Sequence, residues 1–404
     1  MPSFWSASLD LFRKDPSYRH FDNAMKCINL YNEKHDVEDL NTSISHFQIS
    51  LRNRGKTKEK HARYSLDKIL THYSDALWTR YQLDVSKFAA DMDKVIQLDE
   101  EICRIWGSQS DQPAISAPLA KKRLALANLH AARCYRAMRS FERSKQQADK
   151  DFAKASYGKA IGQIRTVLWE MDTVPPEVRW IARVMRGVVV TTWWDHQDLE
   201  GVENTQDAER TLQEAINNIA DALDIGAPLT IDAVEQAKFK ATPETCMRTL
   251  GTAHYVCYQI SERLSDLDDA IRWNRQLLSR IGPIHEEYAY CKFDLAQQLF
   301  EKYQHERRTR KNGTGHYLEA NTATPGSQAL YDAEVVAKAL MDELPKMHDT
   351  AKYREIQVNL DKLLRTMDAH SAYSASNKGS SLRTPSPAPS APSSGHASMS
   401  CAGA

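Results

Sequence analysis

The chain has 404 residues, 42% of them hydrophobic, which is enough to bury a large core or a long stacked one. Basic and acidic residues both number 53, so no overall positive field attracts nucleic acid or an anionic membrane surface. The seven cysteines are odd in number and widely spaced, which favours reduced thiols over a disulfide framework. No apolar segment approaches the roughly 18 residues of a membrane span. We therefore expect an intracellular protein, cytoplasmic or nuclear, without a membrane partner.

Apolar residues recur at helical spacing along most of the chain, while glycine and proline are scarce before residue 370. This pattern predicts an all-α fold, an irregular α-solenoid of stacked helix hairpins. Residues 1–106 are predicted to form N-terminal helical repeats, 107–118 (GSQSDQPAISAP) a linker, and 119–369 a second helical-repeat region. The beginning of that region fits either one long helix or a pair. The Ser, Ala, Pro and Gly composition of 370–404 predicts a disordered tail.

The clearest repeat unit spans residues 242–283, with the sequence TPETCMRTLGTAHYVCYQISERLSDLDDAIRWNRQLLSRIGP. Its two halves each carry an apolar helical stripe, and a polar turn separates them. Thr242 is placed as an N-cap, Pro243 as the first helical residue, and Pro283 closes the unit. The early segment EDLNTSISHFQISL has the same order of acidic turn, isoleucine, aromatic and leucine as SDLDDAIRWNRQLL, which indicates a repeated hairpin.

This unit resembles the tetratricopeptide repeat (TPR), in which a small residue of the first helix allows close approach of the second and a proline closes the unit. The residues that carry the resemblance are Leu250-Gly251, Ala270-Ile271, Leu277-Leu278 and Pro283. The long spacing is similar to the extended repeats that accompany caspase-like CHAT modules, although no CHAT module is found in this sequence. The resemblance implies a solenoid whose concave face holds protein partners, and it implies no catalysis.

The favoured function is therefore a non-enzymatic scaffold that binds a segment of a partner protein. In the 242–283 unit, Arg248, Thr252, Tyr255 and Gln259 lie off the apolar stripe, and we predict that they contact a partner. Trp193 and Trp194, next to an acidic segment, form a second candidate, because exposed tryptophans are frequent binding hot spots. The alternative for this pair is packing of both rings at an irregular junction between repeats.

Two other groups of residues have a possible chemistry, and core packing is the favoured interpretation of both. Cys246, His254, Cys257, His285 and Cys291 include metal-ligand types but lack paired C-x-x-C spacing. His130 and Cys134 share a helix face, but no orienting carboxylate or glycine-rich oxyanion loop accompanies them. The sequence predicts no metal, no cofactor and no catalytic residue.

Two basic segments, residues 52–63 and 305–311, support an alternative function in nucleic-acid association. Neither is interleaved with the aromatic residues on which single-stranded bases stack. We therefore interpret both as solvated connectors between helices and keep nucleic-acid binding as the second hypothesis.

Overall fold

The computed structural model describes residues 16–54, 64–108, 115–170, 173–197, 205–226, 242–285, 287–312, 325–347 and 353–380. In these ranges the secondary structure is helical throughout, which confirms the predicted all-α fold. The α-helices of this part of the chain are α1 (Pro16–Lys34), α2 (Val37–Arg54), α3 (Leu66–Leu83), α4 (Ala89–Ser108), α5 (Ala117–Ser144), α6 (Gln147–Trp169), α7 (Pro176–Asp195), α8 (Thr205–Ile225), α9 (Pro243–Ser261), α10 (Leu264–Leu278), α11 (Tyr288–Asn312), α12 (Pro325–Glu343) and α13 (Arg354–Ser380). A short 3₁₀ turn, Leu344–Lys346, follows α12.

The helices pack as sequential hairpins. The pairs α1–α2, α3–α4, α5–α6, α7–α8 and α9–α10 are each in extensive contact, and neighbouring hairpins contact each other along the chain. The first helices of three successive hairpins, α5, α7 and α9, also contact one another in series. Such a layer of first helices is expected when hairpins stack in a solenoid, because each hairpin buries its apolar faces against its neighbours.

Three hairpins share one turn. In each, a non-glycine residue with φ near +55° ends the first helix, namely His35, Lys145 and Glu262. Its amide donates to the carbonyl of the residue four positions earlier, and that residue is aromatic in every case (Tyr31, Phe141 and Tyr258). An aspartate follows four positions later, in the first turn of the second helix (Asp39, Asp149 and Asp266). At this position its carboxylate interacts favourably with the positive end of the helix dipole. This recurring turn supports the repeated hairpin predicted from the sequence.

The α9–α10 hairpin has the caps and the close approach that its sequence predicts. The Thr242 hydroxyl oxygen accepts a hydrogen bond from the Thr245 amide at 3.1 Å. Gly251 is buried beneath Asn274 of α10, and a Cβ atom on Gly251 would lie 2.9 Å from Asn274 Oδ1. A larger residue at this crossing of the two helices would therefore force the Asn274 side chain to shift.

Polar groups also hold the first hairpins together. Asp99 of α4 is almost fully buried, and its Oδ1 lies 2.7 Å from Lys122 Nζ of α5. The Ser74 hydroxyl of α3 donates to the same carboxylate oxygen at 2.7 Å. Because a buried carboxylate needs both a charge partner and hydrogen bonds, this cluster links three successive helices.

The chain divides into two compact units, Met1–Gly282 and Pro283–Ala404. The predicted linker, 107–118, lies inside the first unit, where α4 ends at Ser108 and the Ser116 hydroxyl oxygen caps α5 by accepting from the Leu119 amide. The segment after it is a pair of helices, α5 and α6, rather than one long helix. In the second unit, α11, α12 and α13 pack around a small core that contains Ala289, Ala337 and Leu360.

Two sequence-based boundaries need correction in the second unit. The predicted tail begins at residue 370, but α13 continues to Ser380, and the His370 ring packs against Phe300 at 5.4 Å and Tyr303 at 5.7 Å. The remainder of that tail, 381–404, lies outside the described residues. The basic segment 305–311 belongs to α11 and is not a connector. Arginine, lysine and glutamate are good helix formers, so a charged composition alone does not indicate a loop.

Candidate protein-binding surface

The four residues predicted from α9 lie off its buried stripe. Gln259 is exposed, and Arg248, Thr252 and Tyr255 are half-buried. The Thr252 hydroxyl donates back to the Arg248 carbonyl oxygen at 3.2 Å, and the Tyr255 ring stacks on Tyr258 at 6.5 Å. The helical phase is therefore as expected, while partner binding by these side chains stays a prediction.

The tryptophan pair packs at a junction between helices. Trp193 is only 9% exposed, and its ring stacks on Tyr157 of α6 at 4.7 Å between centroids. Trp194 is half-buried, and its indole N–H donates to the Thr211 hydroxyl of α8 at 3.0 Å. These contacts agree with the alternative interpretation, in which both rings pack at a junction between helices. The burial of Trp193 places that side chain in the core rather than on a binding surface, and binding by Trp194 stays a prediction.

The side-chain pKa values of Cys134 and His130 do not suit a catalytic nucleophile and its general base. Burial raises the pKa of the Cys134 thiol to about 11. Burial lowers the pKa of His130, which is 1% exposed, to about 4. An activated cysteine needs a depressed thiol pKa, so both side chains are better explained by packing.

The cysteines and histidines considered as metal ligands are not gathered into a site. In the described part of the chain, no group of three or more His, Cys, Asp or Glu residues is arranged to hold a metal ion. Cys246 and Cys257 are buried in the core of the first unit, and burial raises the pKa of each thiol to about 12. They behave as small apolar side chains.

An open groove of about 340 Å³ lies between α4 and α6, with α5 as its floor. Its walls are formed by Glu100, Cys103 and Arg104 of α4 and by Gln163 of α6, and its floor by Arg123 and Leu126 of α5. The guanidinium of Arg123 donates from Nη1 to Gln163 Oε1 at 2.8 Å, while its buried Nε has no partner among the described residues. The groove is therefore lined by both apolar and charged groups.

The outer face of α6 borders this groove and exposes two aromatic rings. Trp169, the last residue of the helix, is 84% exposed, and Phe152, near its beginning, is 44% exposed. The Arg133 guanidinium covers one side of the Phe152 ring at 4.5 Å. Between the two rings, Ala155, Gly158 and Gly162 are also exposed, so this face has little side-chain cover. We define the α6 surface as the exposed face from Phe152 to Trp169 together with the adjoining groove.

The sequence-based prediction did not identify the α6 surface, because helical spacing predicts that Phe152 and Ala155 share a buried stripe with Ile164 and Leu168. That prediction is wrong for Phe152 and Ala155, which are both exposed. Two signals are nevertheless present in the sequence. Gly158 and Gly162 interrupt a good helical pattern at a spacing of one turn, and no carboxylate occurs between Ala153 and Trp169.

No protein-family model and no curated protein matches this chain. Among solved structures, the chain is similar to Nro1, described as the hypoxic regulator of sterol synthesis and a nuclear import adaptor. The identity is 12%, the similarity covers 81% of this chain and 99% of that chain, and the TM-score is 0.25. This is a distant likeness to another all-helical protein, and it assigns no family or partner. None of the described helices combines the length and apolar composition that crossing a bilayer requires.

Proposed function

We propose that the protein is a non-enzymatic helical-repeat scaffold, of TPR-like type in its α9–α10 unit, that binds a partner protein on the α6 surface. The observation that carries this proposal is the exposure of Trp169, a large aromatic side chain at the end of a well-formed helix. Single exposed apolar residues are common, but here the same helix exposes a second aromatic ring and borders an open groove. Tryptophan is also the residue type most enriched at binding hot spots.

The α6 helix is suited to present such a surface because its opposite face is firmly held. Ala153, Ala160, Ile164 and Val167 are fully buried, and α6 packs along the whole of α5. A binding surface on a rigid element loses little conformational entropy when a partner docks. Solenoid repeats present partner surfaces in this manner. We place this function in the cytoplasm, with the nucleus as the alternative.

Affinity purification of the full-length protein from its native cells tests the proposal with three versions of the chain. These are the wild type, Trp169→Ala, and Tyr331→Ala as a matched control, since Tyr331 is an aromatic residue that is 62% exposed on α12. Both substitutions are at exposed positions, so each should change the free energy of unfolding by only about 0.5 kcal/mol. Circular dichroism of the purified variants checks this.

We expect a set of proteins that the wild type and Tyr331→Ala retain at high salt and after RNase treatment, and that Trp169→Ala loses. Equal recovery by all three versions would remove the α6 surface from consideration. Loss of every partner on RNase treatment would instead favour the nucleic-acid alternative, in which the basic segments 52–63 and 305–311 contact phosphates.

A further inference from the structure

Two glycines in the middle of α6 are not required by packing against any of the residues that the structure describes. Gly158 and Gly162 lie inside a 23-residue helix, where each glycine lowers helix stability by roughly 1 kcal/mol relative to alanine. A Cβ atom added at either position would meet no atom within 4 Å among the described residues. By contrast, the glycines of α7 and α9 are needed, because a Cβ at Gly187 would lie 2.2 Å from Ile219 and one at Gly251 would lie 2.9 Å from Asn274.

The two glycines form a shallow furrow between side chains of one charge. At about 100° per residue, Gly158 and Gly162 lie about 40° apart on one face, and Lys154 continues their row one turn earlier, with Arg165 about 20° to one side of Gly158 and Lys159 about 60° beyond Gly162 on the other side. Trp169 continues the same row at the end of the helix. No carboxylate of α6 occurs between Ala153 and Trp169, so this part of the helix has three positive charges.

The neighbouring helices offset these charges only in part. The Lys159 ammonium lies 3.3 Å from Glu100 Oε1 of α4, and both side chains are more than 40% exposed, so the pair is weak and open to exchange. Other carboxylates near the groove have their own partners: Glu101 pairs with Arg104, and Asp93 with Arg133. Lys154 and Arg165 have no carboxylate within 4 Å among the described residues.

We propose that the partner segment bound by the α6 surface is an amphipathic α-helix rich in acidic residues. This inference rests on the proposed function and specifies the chemistry of the partner. Helices with ordinary side chains pack at 8–10 Å between their axes, and that distance depends on the residues at the contact. Glycines at one-turn spacing allow a second backbone to come closer, which an extended peptide or a loop does not need.

The length and charge of the surface define the docked helix further. Phe152 and Trp169 are 17 positions apart, which corresponds to about 25 Å along the helix axis and to about five turns of a partner helix. The partner's small or apolar side chains lie in the glycine furrow, and one of its ends contacts Trp169, which lies on the same face of α6. Its aspartate and glutamate side chains flank this stripe and approach Lys154, Lys159 and Arg165.

A display library of helical peptides tests the inference on the intact protein without knowledge of the natural partner. Eighteen-residue helices with randomised charge and side-chain size on one face are selected for binding to the full-length wild type. We expect the enriched peptides to be acidic, with small residues in one stripe. We also expect their Kd to rise at least tenfold on Gly162→Leu and to rise with salt concentration. Gly107→Leu, at a position on α4 where a Cβ also meets nothing within 4 Å among the described residues, is the matched control and should leave binding unchanged.

Enrichment of basic or uncharged peptides, the absence of any enrichment, or equal binding to Gly162→Leu would overturn the acidic-helix inference. The proposed function has a separate readout, because it depends only on whether Trp169→Ala loses the natural partners. A second copy of the chain as the occupant is detected by sedimentation of the purified wild type. If the wild type self-associates and Gly162→Leu is monomeric, the surface is a dimer interface and the inference is wrong.

Discussion

Replacing Gly251 with alanine tests how closely α9 and α10 approach. The new methyl group would lie 2.9 Å from Asn274 Oδ1 and 3.3 Å from its Cγ, and Asn274 is only 2% exposed, so it has little room to move. Overpacking of this kind lowers the free energy of unfolding by about 1–3 kcal/mol. The higher helix propensity of alanine relative to glycine raises it by about 1 kcal/mol. We therefore expect Gly251→Ala to lower the free energy of unfolding by about 1 kcal/mol. Gly162→Ala, with the same propensity gain and no contact, should raise it by about 1 kcal/mol.

Urea unfolding followed by far-UV circular dichroism measures both variants, and hydrogen exchange of the α9 and α10 amides shows whether the change is local. The double variant Gly251→Ala with Asn274→Ala removes the obstructing side chain, so the effects of the two substitutions should not add. If Gly251→Ala were as stabilising as Gly162→Ala, the close approach of the two helices would be refuted.

Three further predictions concern buried groups. Lys122→Met leaves the carboxylate of Asp99 buried without its charge partner and should lower the free energy of unfolding by about 3–5 kcal/mol in urea titrations, with part of the loss restored when Asp99→Asn is added. The pKa of His130 is lowered to about 4 in the folded state, so the unfolded chain binds more protons below about pH 6.5. Stability should therefore fall as the pH decreases from about 6.5 to 4, and unfolding of His130→Leu at several pH values should show a shallower fall. In a Cys401→Ser variant, a thiol reagent should label Cys27 first, because the other five cysteines are buried; rapid reaction of all six without denaturant would contradict this.

The fold of the first unit was predictable where local signals and periodicity agree. The α9–α10 hairpin has an N-cap threonine, a proline at the first helical position and a glycine at the helix crossing, and each of these features is local in sequence. The pairing of α5 with α6 was not predictable in the same way. Its turn depends on Lys145 in the left-handed region, which glycine usually occupies, so neither glycine nor proline marks the boundary.

The binding surface was less predictable because exposure depends on the neighbouring helices. The sequence places Trp193 and Trp194 at a helix end, but only the packing of α6 and α8 decides that one ring is buried against Tyr157 and that the other bonds to Thr211. The same dependence on neighbouring helices applies to Trp169, whose 84% exposure at the end of α6 follows from their packing and not from its own position in the sequence.

The glycines show how the sequence and the structure together separate packing from function. A glycine inside a helix weakens it, and a well-adapted sequence retains it only where something gains from the missing side chain. For Gly187 and Gly251 the gain lies within this chain, since Ile219 and Asn274 occupy the space that a Cβ would need. For Gly158 and Gly162 the described residues leave that space empty, on a face that also exposes Trp169 at its end. This contrast is the reason for proposing that a partner molecule approaches the face of Gly158 and Gly162, and the positive charges beside the furrow favour an acidic helix as that partner.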